Sequence, residues 1–278
     1  MAKVKDIMTG DVITASLPGT REDIIEIMTD GVVSSIPVVN ESKYRGLVSR
    51  DELLAKPGED QLAMLMREVE PVGSDTSIED CARKMMEGDE RRLPVLTDGD
   101  KVEGILTLTD ITGYIADHGD ETDIGELIEE GILTIWEETP IDVAVNTLLL
   151  NSESAACILD NKNEMVGILT ETDCVGAADV DLENEVIGEA VAAQDDQWMW
   201  EGIQATSTEL IPVNKISYPD EPVSSFMSDD VETVVRSTNV SDAAEHMYNN
   251  GIHHLPVRRG DQLVGMLDDT DLLEHLVR

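Results

Sequence analysis

The chain has 278 residues, of which 59 are acidic and 19 basic, for a net charge of −40; 41% are apolar and only 3% aromatic. That length supports one large or two ordinary domains whose core must be built from Val, Ile, Leu, Met and Ala. The charge argues against non-specific nucleic-acid binding, which needs clustered Lys and Arg, no apolar run approaches the ~18 residues of a membrane span, and the opening MAKVKDIMTG lacks the apolar stretch of a secretory signal.

The acids are spread along the chain rather than gathered in a tail. Self-repulsion on this scale opposes a compact state in dilute salt. At ~1 M salt the Debye length falls to about 3 Å and most of it is screened. The composition therefore points to a cytoplasmic protein of a salt-accumulating halophile. An acidic protein that recruits a basic partner is the weaker alternative, because no acidic block stands alone. Cys81, Cys157 and Cys174 lack metal-ligand spacing and read as small buried residues in a reducing compartment.

In chain order, the pattern is one of repeats. An apolar strand with a central Pro occurs as SSIPVV at 34–39, RRLPVL at 91–96 and HHLPVR at 253–258, and SAACIL at 154–159 carries Cys157 in place of Pro37, Pro94 and Pro256. Nine residues before each anchor sit Met28, Met85, Leu148 and Met247; thirteen before sit Ile24, Cys81, Ala144 and Ala243. Nine or ten after come Gly46, Gly104, Gly167 and Gly265. Each unit predicts a lead-in ending in a short strand, an amphipathic helix, the anchor strand, a tight turn, a second strand and a final helix. The units are 1–58, 59–120, 121–179 and 221–278. An insert at 180–220 predicts a helix near 184–194 and a short strand near 209–213. Trp198 and Trp200 within it are read either as a patch between modules or as a docking surface for an unidentified protein partner.

The second strand of every unit ends in one corner: GLVSRDE at 46–52, GILTLTD at 104–110, GILTETD at 167–173 and GMLDDTD at 265–271. Ser or Thr followed three residues later by Asp or Glu is a capping box, and Ser49/Glu52, Thr107/Asp110 and Thr170/Asp173 fit it; Asp268 before Asp271 is an acceptable N-cap. Capping explains these residue types with no ligand. The other reading uses the same corner as an anion site, with hydroxyls and free N–H groups for phosphate and an Asp for ribose hydroxyls. Arg91-Arg92 and His253-His254 precede two of the anchors, in a chain poor in bases, whereas the other two have Ser34-Ser35 and Ser154-Ala155. Arg258-Arg259 reads as a surface turn. No catalytic set appears: His118, His246 and His275 lack a convergent nucleophile, and there is no Gly-rich phosphate loop of the Walker type.

The joint pattern M-T…V-x-T, A-x-x-x-M, L-P-V and G-h-h-[ST]-x-x-D (h apolar) resembles the cystathionine-β-synthase (CBS) domain. The resemblance covers repeats 1, 2 and 4 clearly and repeat 3 with some decay. It implies an α+β fold of four β-α-β-β-α units, paired into two Bateman modules packed as a pseudo-symmetric disc. It is similar in layout to the gamma subunit of AMP-activated protein kinase and to archaeal stand-alone CBS proteins. Such modules bind adenine nucleotides (AMP, ADP or ATP), or less often S-adenosylmethionine, between paired repeats and do no chemistry on them. The resemblance thus implies a regulatory ligand rather than a cofactor and no enzymatic activity, and it leaves both a single-chain disc and a homodimer open. It assigns phosphate and ribose contacts to Thr107, Thr109 and Asp110, and to Thr170, Thr172 and Asp173. Arg91, Arg92, His253 and His254 would meet phosphate. Thr270 and Asp271 fit the pattern, although Asp268 replaces a hydroxyl and would repel phosphate. Repeat 2 reads as the best single site, repeat 4 as second, and repeat 3 as a good corner that would borrow cations from repeat 4. One to three occupied sites are expected.

Overall fold

A computed structural model of the chain describes residues 2–31, 33–56, 59–97, 100–119, 121–128, 131–177, 179–186 and 210–277. Repeat 1 contains a 3-10 turn (Val4–Asp6), β1 (Thr9–Gly10), β2 (Ala15–Ser16), α1 (Arg21–Asp30), β3 (Ser35–Asn40), β4 (Lys43–Ser49) and α2 (Arg50–Ala55). Repeat 2 contains α3 (Leu62–Leu65), β5 (Val72–Gly73), α4 (Ile78–Gly88), β6 (Arg92–Leu96), β7 (Val102–Thr107) and α5 (Leu108–His118). Repeat 3 contains a 3-10 turn (Ile124–Glu126), β8 (Thr134–Trp136), α6 (Ile141–Asn151), β9 (Ala155–Leu159), β10 (Met165–Thr170) and α7 (Glu171–Ala177). An antiparallel pair of strands, β11 (Asp179–Val186) and β12 (Leu210–Ser217), follows. Repeat 4 contains a 3-10 turn (Val223–Ser225), β13 (Val234–Val235), α8 (Val240–Asn250), β14 (His254–Arg259), β15 (Gln262–Asp268) and α9 (Asp269–Val277).

In each repeat the short strand pairs parallel to the anchor strand, which pairs antiparallel to the corner strand. The anchor is therefore a middle strand, an unusual place for Pro because it gives no N–H to its neighbour. The short strand starts just beyond the missing donor: Ala15 lies opposite Val38, Val72 opposite Val95, and Val234 opposite Val257. In repeat 3 the N–H of Cys157 donates to Leu133 O at 3.0 Å, and β8 is one residue longer than its counterparts. One substitution thus lengthens one strand.

The lead-ins are exchanged. The lead-in of repeat 1 lies on the sheet of repeat 2, with Thr9 opposite Ile105, and Arg67 of repeat 2 trades two 2.9 Å backbone bonds with Leu47 of repeat 1. Repeats 3 and 4 do the same: Ile124 and Gly125 donate to Thr238 O and Arg236 O, while Ser228 trades two 2.9 Å bonds with Ile168. This explains the recurring glycine. A Cβ at Gly46 would come within 2.6 Å of Arg67 O, at Gly104 within 2.7 Å of Thr9 O, and at Gly167 within 2.9 Å of Ser228 O. The partner's backbone passes where a side chain would be.

The two modules meet unevenly. One core runs through repeats 2 and 4, where Met85, Ile111, Met247 and Leu272 are each at most 1% exposed. Each such side chain contributes about 1.5–3 kcal/mol by leaving water. Repeats 1 and 3 have separate small cores. Between those two repeats lies a cavity of 570 Å³, and α6 leaves Leu149 and Leu150 69% and 86% exposed.

Two expectations need correction. Residues 184–186 belong to β11 rather than to a helix, and the rest of the expected 184–194 helix, with Trp198 and Trp200, lies outside the described residues. The short strand expected near 209–213 is β12. Arg258 and Arg259 end β14 instead of forming a turn, and the Arg258 Nε is buried without a partner. The turn begins only at Gly260, whose φ of 62° suits glycine.

Candidate functional site

All four corners cap a helix. In repeat 2 the Thr107 N–H and hydroxyl both donate to Asp110 Oδ2 at 2.7 Å, and the Asp110 N–H donates back to Thr107 Oγ1 at 3.2 Å. Repeat 3 repeats this with Thr170 and Asp173 at 2.8, 2.7 and 3.4 Å. In repeat 1 the Ser49 N–H donates to Glu52 Oε2 at 2.7 Å, and in repeat 4 the Asp268 N–H donates to Asp271 Oδ2 at 2.8 Å. The corners are alike in backbone; they differ in what faces them.

The cavity at the corner of repeat 3 measures 630 Å³ and mixes bases with acids. Repeat 3 contributes Thr170, Thr172 and Asp173 to its wall, together with Ser154 and Glu171. Repeat 4 contributes His253 and His254, and its exchanged lead-in adds Asp230 and Glu232. Repeat 2 contributes Arg91 and Arg92. Seven of the predicted residues therefore share one chamber drawn from three repeats. Asp173 spends Oδ2 on the cap, which leaves Oδ1 as an acceptor.

All four basic side chains in this wall already have partners. Asp269, the first residue of α9, is 1% exposed and lies at the seam between repeats 2 and 4. Its Oδ2 is 2.5 Å from Arg91 Nη2 and 2.7 Å from His253 Nδ1, while Oδ1 is buried with no partner. Burial pushes its carboxyl upward, but the His253 bond and the charge of Arg91 outweigh that and hold it below the usual carboxylate range. His254 Nδ1 lies 2.7 Å from Asp268 Oδ1. Arg92 Nη2 donates to Ser34 Oγ at 3.1 Å.

The remaining corners are furnished differently. At repeat 1, Arg67 from the exchanged lead-in bonds both Glu52 and Glu90 and so fills the corner with its own ion pairs. At repeat 4, Asp271 and Asp268 face Glu153, Asn151 and Leu133 across a 490 Å³ pocket, and Thr270 is exposed. Burial, with the charges of Asp268, Glu274 and Asp269, pushes Asp271 up to about 6 against the opposing Asp268 N–H bond. At repeat 2, Thr107 and Asp110 are half-buried, burial raises the Asp110 carboxyl despite its Thr107 bonds, and Thr109 is exposed. Arg92 stands across the strand pair from Thr107, yet it and Arg91 line the cavity of repeat 3 instead. Thr107, Thr109 and Asp110 are not in that wall.

Sequence reasoning missed Asp269, Arg67 and the acids Asp230 and Glu232. Only Asp269 carried a signal: three Asp in four residues at 268–271 exceed what a cap requires. The other histidines do not gather here; His118 stacks on Tyr114 with ring centroids 4.5 Å apart. The three cysteines are free and buried, and burial raises their thiols to about 11 (Cys81), 12 (Cys157) and 11 (Cys174), which keeps them protonated and unreactive. Among the described residues no His, Cys, Asp or Glu group is arranged to hold a metal, and no helix is long and apolar enough to cross a membrane.

Fold and site together define a four-repeat protein whose units pair through exchanged lead-ins and enclose ligand-sized clefts at their corners. The chain belongs to the CBS-domain family: the CBS domain model matches residues 4–59, 62–117, 124–179 and 223–278. The resemblance read from the motifs holds for all four repeats, repeat 3 included. A crystal structure of an uncharacterized conserved protein from Pyrococcus horikoshii is similar over 99% of this chain and 100% of its own, with 26% identity and a TM-score of 0.69. Protein MJ1225 from Methanocaldococcus jannaschii, described as a proposed archaeal homologue of γ-AMPK, aligns over 99% of both chains with a TM-score of 0.70 and 17% identity, which speaks for the fold. MJ1404 from the same organism is 24% identical over 279 residues, or 98% of this chain. The chain spans 61% of the length of MJ1404 and 65% of MJ1225 as curated relatives.

Proposed function

We propose that the chain is a regulatory protein that binds an adenine nucleotide at the corner of repeat 3 and passes its occupancy to a protein partner. One observation carries this reading: the cavity that joins Thr170, Thr172 and Asp173 to Arg91, Arg92, His253 and His254. In a chain with 59 acids and 19 bases, two arginines and two histidines meet in this chamber, among the acids Glu171, Asp173, Asp230 and Glu232, and give it donors for an anion. The hydroxyls of Thr170 and Thr172 supply neutral donors for phosphate, and Asp173 Oδ1 accepts from ribose hydroxyls. Its 630 Å³ suits a mononucleotide, since small-ligand sites span roughly 300–1,000 Å³. The cavity wall comes from three repeats across both modules. A ligand there favours whichever arrangement of the modules brings those walls together, and this is how occupancy changes a partner surface. The reading does not extend to Thr270 and Asp271, whose pocket is walled by carboxylates, and it leaves Thr107, Thr109 and Asp110 as a cap.

The second reading is a ligand-independent scaffold, favoured by the fact that capping alone accounts for every corner. Calorimetry in molar KCl with AMP, ADP, ATP and S-adenosylmethionine on ligand-stripped protein separates the two. Heat from an adenine nucleotide, lost in Asp173→Ala and kept in Asp110→Ala, supports the first. No heat from any of them leaves the scaffold.

A further inference from the structure

Asp269 is a residue the fold does not need. The corresponding position at the corner of repeat 2 is Leu108, and the two sites are structural mates: the Leu108 N–H donates to Arg91 O and the Asp269 N–H to His253 O, both at 2.9 Å. Leu108 is 2% exposed and Asp269 is 1% exposed, so this seam accommodates an apolar side chain of similar reach at one of its two equivalent places. A carboxylate in the other place is costly, the more so because its Oδ1 has no partner. What it does there is visible at Oδ2, which holds Arg91 and His253 together from behind the cavity wall. Both side chains line the cavity that a phosphate would enter.

We propose that Asp269 is a built-in counter-anion that sets how tightly the cavity at the repeat 3 corner takes a phosphate group. The proposal rests on reading that cavity as the nucleotide site. An incoming phosphate has to share Arg91 and His253 with Asp269 or draw them away from it. Either way part of the attraction of those cations is already spent on the buried carboxylate. The chain therefore holds its ligand more loosely than its cations alone would, which lets occupancy follow a changing ligand concentration. The affinity is set by a residue that need not touch the ligand, so Asp269 is a positioning residue.

The sign of the effect makes this testable. A purely structural Asp gives equal or weaker binding when replaced; a counter-anion gives tighter binding. Calorimetry in molar KCl on the full chain would use AMP and, separately, inorganic pyrophosphate, which presents phosphate without adenine. Asp269→Asn keeps the shape, and Asp269→Leu copies the mate at Leu108, so one variant covers a folding failure of the other. The expected result is binding of both probes about tenfold tighter in either folded variant. In an Arg91→Ala background the gain should shrink to less than about threefold, because the coupled partner is gone. Unchanged or weaker binding in the folded variants overturns the proposal, and so does a full gain that survives Arg91→Ala. If pyrophosphate shows the gain and AMP binds none of these proteins, the counter-anion stands and the nucleotide reading falls. No binding of either probe to any of them sinks both.

Discussion

The corners of repeats 3 and 4 are two clefts of one module, built from equivalent elements, and only the first holds basic side chains. Both cap a helix with the same backbone bond, 2.8 Å from the first corner residue to the Asp three positions on. Yet one sets Arg91, Arg92, His253 and His254 among the acids Glu171, Asp173, Asp230 and Glu232, and the other has Asp268, Asp271 and Glu153 with no base. The difference comes from the exchange between repeats. The pair before the anchor strand of repeat 4, His253-His254, faces the corner of repeat 3, whereas Ser154 and Ala155 in repeat 3 give the corner of repeat 4 no charge. A repeat therefore equips its partner's cleft. Repeat 2 packs on repeat 4 and adds two arginines to one side only.

The largest test removes the exchange itself. Gly167→Val places a side chain against Met227 Sδ, 2.5 Å from the new Cβ, and against Ser228 O. The lead-in that carries Asp230 and Glu232 must then shift. We expect a loss of about 1–3 kcal/mol in denaturant unfolding and no nucleotide heat at the repeat 3 corner. Retained stability and binding would show that the lead-in is not what shapes the cavity. Next in size, Arg92→Ala should weaken nucleotide binding about tenfold, while Glu153→Gln in the acidic pocket of repeat 4 leaves it unchanged. Equal effects in a paired titration would erase the contrast between the clefts.

The smallest effect is one of pH. The Asp271 carboxyl, raised to about 6 in the fold, lies above its unfolded value near 3.8. A raised carboxyl supports folding fully below about pH 4, and that support is lost as pH rises through 6. Asp271→Asn keeps an oxygen for the Asp268 N–H and removes the titration. Thermal melts should show no change near pH 3.5 and a higher melting temperature for the variant at pH 7–8. A variant that is less stable at pH 8 would mean the charge is wanted at this corner.

The repeat was legible because burial obeys spacing. Ile24, Cys81, Ala144 and Ala243, thirteen residues before the anchor, are all fully buried, and Met28, Met85, Leu148 and Met247 are at most 4% exposed. The capping boxes were legible because they are local: three residues separate donor from acceptor. The grouping of the site was not. Reading within one repeat places Arg91 and Arg92 with Thr107 and Asp110, but the exchanged lead-ins and the packing of repeat 2 on repeat 4 bring them to Thr170, Thr172 and Asp173, about eighty residues away in sequence. The one sign of this exchange in the sequence was the recurring Gly, which marks a backbone crossing without naming the strand that crosses. The Pro-to-Cys change at 157 was visible, but its effect on the length of β8 needed the strand neighbour.

The exchanged lead-ins also set a timetable for making the protein. Thr9 finds its strand partner at Ile105, and the corner strand of repeat 1 is closed only by Arg67. At a synthesis rate of ~5–20 residues per second, the N-terminal arm waits roughly 5–20 s for its sheet. Until residue 67 emerges, repeat 1 exposes the edge of β4 that Arg67 will cover, a strand edge open to the Arg67 segment of a neighbouring chain. A nascent crowd of these chains is thus at its most interchangeable before the second repeat emerges. Genetic truncation after residue 58 would hold it in that state, with the edge of β4 left uncovered because Arg67 is never made.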